Sequence, residues 1–276
     1  MSTTCSAASR AAAEPLAATA AEAVRWLLLE VRGPWGRDAV ADTPLAPDVR
    51  TALAAFDGRV VLVRRPDRRG GVTLIRATVA EQGGSATRLE LQSIDELPEA
   101  DLGDGVPLAE PVFLVCTHGR RDACCARLGR PLYDALAPHL SERQLWQSSH
   151  LGGHRFAPNV LVLPAGVELG RVPPERAAEV VELLAGGRIP LDLYRGRTAY
   201  ARSAQAAEIL VRTVTGCDVV AGLQLLAHER DRVTFATPAG ELTARVERRP
   251  GPSLPPSCGA DPEPTVRWVG SLESSA

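Results

Sequence analysis

Lysine is absent from this sequence of 276 residues, and all 31 of its basic residues are arginines. No mechanism that needs a Schiff-base or P-loop lysine is therefore available. Aromatic residues make up only 4% of the chain, and no motif marks the paired carboxylates that a glycosidase requires. An excess of positive charge is also missing, since the formal net charge is −2. The chain thus has no strong basic field for binding a nucleic acid or an anionic membrane.

Long hydrophobic runs are missing too. No apolar stretch approaches the roughly 18 residues of a membrane span. The first 24 residues are interrupted by Arg10, Glu14 and Glu22, whereas a signal peptide needs an unbroken apolar region. We therefore expect a cytoplasmic protein with reduced thiols. In that compartment the six cysteines indicate metal binding or catalysis rather than three disulfides.

The middle of the chain has the clearest secondary-structure pattern. Short apolar runs at 111–115, 144–148, 159–163 and 165–170 predict strands. Leucines at four-residue intervals predict a helix over 125–140, and a second helix is expected from Pro173-Pro174 to Leu184. The order β-α-β-β-β-α is that of a thioredoxin-like domain.

The remaining sequence divides around this unit. Residues 93–110 are acidic, and residues 249–264 contain six prolines, so both segments are expected to be linkers. The composition of the second segment is expected to propagate neither helix nor ladder. We predict an α/β protein with three parts. They are an N-terminal α/β domain over 1–105, a thioredoxin-like domain over 106–200, and a helix with a small β extension over 201–276.

Cysteine and histidine concentrate in two loops of the middle part, each directly after a predicted strand. The first loop contains Cys116, His118, Cys124 and Cys125, and the second is His150-Leu-Gly-Gly-His154. Strand ends are where sites gather in α/β folds. The glycines between the two histidines allow a tight turn and a close approach of the backbone to a ligand.

Two thiolates and two imidazoles can hold either Zn²⁺ or an iron–sulfur cluster of the Rieske kind. Small structural zinc sites usually have cysteines two to four residues apart. Here eight residues separate Cys116 from Cys125 and seven separate Cys116 from Cys124. The wide spacing favours a larger ligand, a two-iron cluster.

These motifs resemble those of the sucrase/ferredoxin-like family, which are thioredoxin-like [2Fe–2S] ferredoxins with two cysteine and two histidine ligands. The resemblance covers about residues 20–270. It rests most specifically on Cys116-Thr-His118-Gly-x-Arg121-Asp122-x-Cys124-Cys125 and Ser149-His150-Leu-Gly-Gly-His154-Arg155-Phe-Ala-x-Asn159. Further support comes from Trp26-Leu-Leu-Leu-Glu30, Gly33-Pro-Trp-Gly-Arg-Asp38, Gly170-Arg171 and Tyr194-Arg195-Gly196-Arg197.

The resemblance implies a [2Fe–2S] cluster held by Cys116, Cys125, His150 and His154. Cys124 could replace Cys125, and His118 is the alternative histidine, although its turn position favours a role around the ligands. The other residues expected around the cluster are Arg121, Asp122 and Arg155. Arg120, Arg121 and Arg155 flank the two loops. They are expected either to hydrogen-bond around the cluster or to dock an acidic partner, or else to form a solvated charged surface. Asp122 is expected to neutralise them. Cys217 is expected in the core, with Cys5 and Cys258 incidental.

The implied function is one-electron transfer to an unidentified partner protein. Two ferric ions, two sulfides and four thiolates sum to a charge of −2, whereas replacing two thiolates by neutral imidazoles brings the sum to zero. The potential should therefore exceed that of plant-type ferredoxins. Imidazole ligands can also couple electron uptake to proton uptake, so the potential should fall as the pH rises.

Two other functions use the same loops. A zinc-binding structural module needs the same four ligands. A thiol oxidoreductase suits the predicted fold, but the sequence lacks Cys-x-x-Cys, and the vicinal pair Cys124-Cys125 would form a strained disulfide. Sucrose hydrolysis is not expected, and nothing in the residues marks the chain as an enzyme.

Overall fold

Five α-helices lie within residues 4–66 and 70–273, the parts of the chain that the structure, a computed structural model, describes. They are α1 (Cys5–Ala11), α2 (Pro47–Ala55), α3 (Ala123–Leu136), α4 (Ala177–Ala185) and α5 (Arg202–Thr215). None of these described helices has the length and apolar character that crossing a membrane requires. Helices α3, α4 and α5 correspond to the three helices predicted from the sequence, whereas α1 was not predicted.

The described residues form two β-sheets, and the larger has ten strands in the order β10-β9-β8-β6-β7-β2-β1-β3-β4-β5. The first five strands in the sequence are β1 (Arg25–Glu30), β2 (Arg59–Arg64), β3 (Val72–Thr78), β4 (Ser85–Leu91) and β5 (Val106–Pro107). The other five are β6 (Val112–Cys116), β7 (Leu145–Ser148), β8 (Val160–Leu163), β9 (Val167–Leu169) and β10 (Tyr194–Arg197).

The predicted thioredoxin-like unit is confirmed in the middle of the chain. Strands β6 and β7 are parallel and are joined through α3. Strands β8 and β9 follow in the chain as antiparallel neighbours, and α4 comes after them. Because β6 and β7 are parallel, their carboxyl ends lie side by side, with Cys116 opposite Ser148. Both loops that carry cysteine and histidine therefore leave the same edge of the sheet.

The side chains of β6 alternate between two cores, as strand geometry dictates. Phe113 and Val115 pack with Leu132 and Leu136 of α3, which confirms the leucine pattern of that helix. Cys116 faces the opposite core with Leu114. Its thiol is therefore enclosed by the protein, although it stands at the end of a strand.

The N-terminal and middle parts share a sheet and a core. Strand β2 pairs with β7 through Val63↔Ser148 and Arg64↔Gln147. One hydrophobic cluster includes Trp26 and Val61 from the first part and Trp146 from the second. The boundary near residue 105 stays a prediction, and it divides the sequence between strands that pair in one sheet.

The second sheet is antiparallel and contains β11 (Gln224–Glu229), β12 (Arg232–Thr237), β13 (Gly240–Leu254) and β14 (Glu263–Leu272). The expectation that residues 249–264 cannot join a ladder is wrong, since Pro250 pairs with Val266 and Ser253 with Pro264. Proline is tolerated at bulges and on edge strands. Pro250 borders a register shift, and Pro264 lies on the edge strand β14.

Candidate metal centre

The end of β6 and the start of α3 position the two cysteines of the first loop. Asp122 is the N-cap of α3, and its Oδ1 accepts the backbone N–H of Cys124 at 2.8 Å. Gly129 lets α3 lie close against β6, because a Cβ there would be 2.0 Å from the Cys116 carbonyl oxygen. The first turn of α3 is thereby held where Cys125 meets Cys116.

Cys116, Cys125 and His150 form one group of ligand atoms, all within 4.8 Å of one another. The Cys125 sulfur is 4.0 Å from His150 Nδ1. A hydrogen bond from the Cys125 thiol is the main cause that lowers the pKa of Cys116, and His150 and the His118 backbone N–H add to it against the effect of burial. The same hydrogen bond and burial raise the pKa of Cys125. Of the two thiols, Cys116 is the one whose surroundings favour the deprotonated form.

His154 lies beside this group, with its ring centroid 5.1 Å from that of His150. Its Nε2–H donates to the Pro256 carbonyl, since a carbonyl oxygen can only accept. The lone pair is then on Nδ1, which is buried and makes no hydrogen bond among the described residues. Burial lowers the pKa of His154, which favours the neutral imidazole that a metal requires.

The two glycines of the second loop take conformations that other residues rarely adopt. The φ angles of Gly152 and Gly153 are +109° and +62°, so the tight turn expected between the histidines is confirmed. A Cβ on Gly153 would lie 2.3 Å from Arg195 Nη2. The second glycine is therefore required for close packing against an arginine as well as for its backbone angle.

Three polar side chains hold the carbonyl groups of this loop. Arg59 donates to His150 O at 3.0 Å, Arg195 to Gly152 O at 3.3 Å, and Asn159 to Gly153 O at 3.0 Å. Arg195 is buried in an ion pair with Glu168. Arg59 and Glu168 escaped the sequence reasoning because no local spacing connects them to the loop. Arg195 was noted only within a family motif.

His118 turns away from the other histidines. Its Nε2 is 2.7 Å from the Gly36 carbonyl oxygen, and its ring packs edge-on against Trp35. Burial lowers the pKa of His118. Its Nδ1, like that of His154, is buried without a hydrogen bond among the described residues, so His118 stays the alternative histidine ligand.

The arginines of the two loops have separate surroundings. Arg121 is exposed, whereas Arg155 is half-buried and pairs with Glu14 at 2.8 Å. Asp122, expected to neutralise them, instead accepts the backbone N–H groups of Cys258 and Cys124. These hydrogen bonds outweigh burial, which acts in the opposite direction, and hold the pKa of Asp122 below its usual range. Among the described residues Asp122 does not pair with these arginines, because its carboxylate caps α3 and accepts the backbone N–H of Cys258.

Cys5 and Cys258 are not incidental, and this expectation is wrong. Both thiols lie against Cys124 in a second group that also includes Asp122. Cys217 is only partly buried and packs against the core between α5 and the second sheet. The sequence offered no signal for the second group, since Cys5 and Cys258 lie 119 and 134 residues from Cys124.

The two loops and the sheet that presents them fall inside a region recognised by a family model. The sucrase/ferredoxin-like model matches residues 16–196, which is 181 of the 276 residues. The chain belongs to the sucrase/ferredoxin-like family. The matched region ends within β10 and excludes the whole second sheet, so Cys5 and Cys258 both lie outside it.

Several curated yeast proteins are similar to part of the chain. Altered inheritance of mitochondria protein 32 of Debaryomyces hansenii is 35% identical over 122 residues, which is 41% of this chain and 42% of that protein. The protein of the same name from Clavispora lusitaniae is 35% identical over 100 residues, or 33% of this chain and 37% of its own length. The chain thus spans less than half of these relatives.

Among solved structures, a thioredoxin-like [2Fe–2S] ferredoxin from Aquifex aeolicus is similar at 23% identity and a TM-score of 0.29. The match covers 33% of this chain and 94% of that one.

Proposed function

We propose that this family member is a one-electron carrier that binds a [2Fe–2S] cluster through Cys116, Cys125, His150 and His154. The observation that carries the proposal is that Cys116, Cys125 and His150 form one group of ligand atoms, with the His154 ring beside it. His154 Nδ1 is buried and makes no hydrogen bond among the described residues. A buried imidazole nitrogen that has a lone pair and no partner is costly unless it serves a purpose, and metal ligation supplies one.

The donor set suits this cofactor. Thiolates and imidazoles are the ligands of Rieske-type clusters, whereas calcium and magnesium require oxygen ligands. Cys116 and Cys125 are 1% and 0% exposed, so water has little access to the sulfur atoms. A bound [2Fe–2S] cluster would supply storage for one electron.

Neighbouring residues prepare the ligands for this role. The Pro256 carbonyl fixes the tautomer of His154 and directs Nδ1 to the interior, as carbonyl partners do for many ligating histidines. The backbone N–H of His118 is among the causes that lower the pKa of the Cys116 thiol. Hydrogen bonds to ligand sulfur stabilise the extra negative charge of the reduced state and help to set the potential.

The decisive measurement is the iron and acid-labile sulfide content of the full chain purified without oxygen. We expect about two irons and two sulfides per chain and a reddish colour. Cys125→Ser should lose both, whereas Cys217→Ser, which alters a thiol outside both groups, should retain them. A colourless protein with zinc bound through these same four residues would support the structural zinc module instead.

Replacing both imidazoles tests the ligand assignment. The His150→Cys/His154→Cys double variant should retain a cluster but at a lower potential, because two neutral ligands become thiolates. Protein-film voltammetry would measure the change. An unchanged potential in a cluster-loaded double variant would rule out these histidines as ligands.

The coupling of electron and proton uptake stays a prediction from the imidazole ligands. A midpoint potential that decreases between about pH 6 and pH 10 is expected for the wild-type protein. The double cysteine variant provides the matched control, since it lacks the titrating nitrogens. A flat profile in the wild-type protein would remove the coupling from the proposal.

A further inference from the structure

Three thiols and a carboxylate form a second group next to the proposed cluster ligands. We call Cys5, Asp122, Cys124 and Cys258 the thiol–carboxylate group. The four ligand atoms all lie within 4.8 Å of one another. None of the three sulfur atoms belongs to the ligand set of the proposed function.

The separations within the group have the dimensions of a single tetrahedral site. The sulfur of Cys5 is 3.6 Å from that of Cys124, Cys124 is 3.3 Å from Cys258, and Cys258 is 3.7 Å from Cys5. Asp122 Oδ1 is 3.6 Å from the Cys5 sulfur and 3.3 Å from the Cys258 sulfur. Four ligands around Zn²⁺ at usual bond lengths place sulfurs about 3.8 Å apart and sulfur about 3.5 Å from oxygen.

The group is enclosed and its carboxylate is oriented. Cys5, Cys124 and Asp122 are 0%, 2% and 5% exposed, and Cys258 is half-buried. The backbone N–H groups of Cys124 and Cys258 donate to the two oxygens of Asp122 at 2.8 and 2.7 Å. Such hydrogen bonds to a ligating carboxylate are typical of metal sites.

The ligands come from three separate parts of the chain. Cys5 begins α1, Asp122 and Cys124 lie at the start of α3, and Cys258 lies between β13 and β14. A metal ion at this point would connect the N-terminal helix and the C-terminal hairpin to the loop that bears Cys125. Ordering distant segments in this way is what structural metal ions do.

We propose that the thiol–carboxylate group binds one structural Zn²⁺ ion, separate from the cluster ligands. Soft thiolates select zinc over calcium or magnesium. A set of three sulfurs and one oxygen completes four-coordination and leaves no open position, which is typical of structural zinc sites. A disulfide requires sulfurs about 2.05 Å apart, whereas all six cysteines here are free thiols.

The metal content of the full-length protein, purified anaerobically, tests this site. We expect about one zinc per chain in addition to any iron. X-ray absorption at the zinc edge should give three sulfurs at about 2.3 Å and one oxygen at about 2.0 Å. Failure of the reduced protein to bind zinc when Zn²⁺ is added would overturn the proposal, and so would a zinc shell that contains imidazole nitrogen alone or in place of these sulfurs.

Single substitutions separate this site from the proposed cluster. Cys258→Ser should lower zinc content at least tenfold and leave iron and the visible spectrum unchanged, and Cys217→Ser should retain both metals. Two zincs and no iron per chain would contradict the cluster proposal but support this one, provided that Cys258→Ser removes only one of them. Unchanged zinc in Cys258→Ser would overturn the assignment.

Thiol labelling of the wild-type protein avoids dependence on the folding of a variant. Cys5 and Cys258 should resist alkylation in the purified protein and become labelled, by peptide mass spectrometry, when a zinc chelator is added. Cys217 serves as the internal control, because its labelling should not depend on the chelator. Labelling of Cys5 and Cys258 that is unaffected by chelation, or a disulfide between them, would overturn the proposal.

Discussion

Cys124 and Cys125 are adjacent in sequence but have different neighbours in space. Consecutive residues of a helix point about 100° apart, because 3.6 residues complete a turn. On the first turn of α3 this angle directs Cys125 to Cys116 and His150, and Cys124 to Cys5 and Cys258. One pair of neighbouring cysteines thus contributes to two separate groups.

At the residue scale, Gly153 offers a direct test of the histidine loop. Gly153→Ala should destabilise the protein by more than the roughly 1–2 kcal/mol of a left-handed alanine, because its Cβ would also clash with Arg195. Gly187→Ala is the matched control, since Gly187 has a φ of +68° and its added Cβ would meet no atom of the described residues within 4 Å. Urea denaturation would compare them, and equal losses would contradict the proposed packing role of Gly153.

Side chains from strands that are distant in the sequence hold the histidine loop in place. Arg195 of β10 pairs with Glu168 of β9, hydrogen-bonds to Asn159, and reaches the Gly152 carbonyl. The arginine and glutamate side chains are 1% and 0% exposed. An ion pair buried this deeply depends on both partners, since either charge alone would lack solvation.

At the element scale, we therefore expect Arg195→Ala to lower the free energy of unfolding by about 3–5 kcal/mol, because Glu168 would be left as an unpaired buried charge. The control is Arg188→Ala, which removes an arginine from a largely exposed pair with Asp218 and should have a much smaller effect. Urea denaturation gives both values. Similar losses of unfolding free energy in the two variants would show that burial does not determine how much the Arg195–Glu168 pair contributes to stability.

On the scale of the whole molecule, the large sheet joins the N-terminal half to the middle part, in spite of the acidic segment that separates these two predicted parts. Strands β2 and β7 connect the N-terminal half to the thioredoxin-like unit, and Trp26 and Trp146 lie in one core cluster. Separating the halves would expose the edges of both strands and divide that core. Burial of shared apolar surface should make the two halves unfold together.

At this scale, the residues of the large sheet should unfold in a single cooperative transition. Tryptophan fluorescence and far-ultraviolet circular dichroism should report the same denaturant midpoint. Trp26 and Trp146 are both fully buried, so fluorescence samples each half. Two well-separated midpoints would contradict this prediction and would favour the sequence-based boundary near residue 105 as a true domain boundary.

Local patterns in the sequence were sufficient for the elements that carry the candidate site. The apolar runs predicted β6, β7 and β8, the leucine spacing predicted α3, and the cysteine and histidine loops were correctly placed at strand ends. The error over residues 249–264 arose because proline content describes local preference, whereas β13 and β14 are stabilised by pairing with each other. The tautomer of His154 was also beyond local reasoning, since Pro256 lies 102 residues away.

By itself, the sequence determined which side chains are available as metal ligands and which strands and helix present them, because periodicity and spacing act over a few residues. Only the tertiary structure decided that Cys125 rather than Cys124 meets Cys116, and that His118 turns to Gly36. It alone brought Cys5 and Cys258 to Cys124. These outcomes depend on how distant elements pack, and packing is decided by the burial of apolar surface across the whole chain.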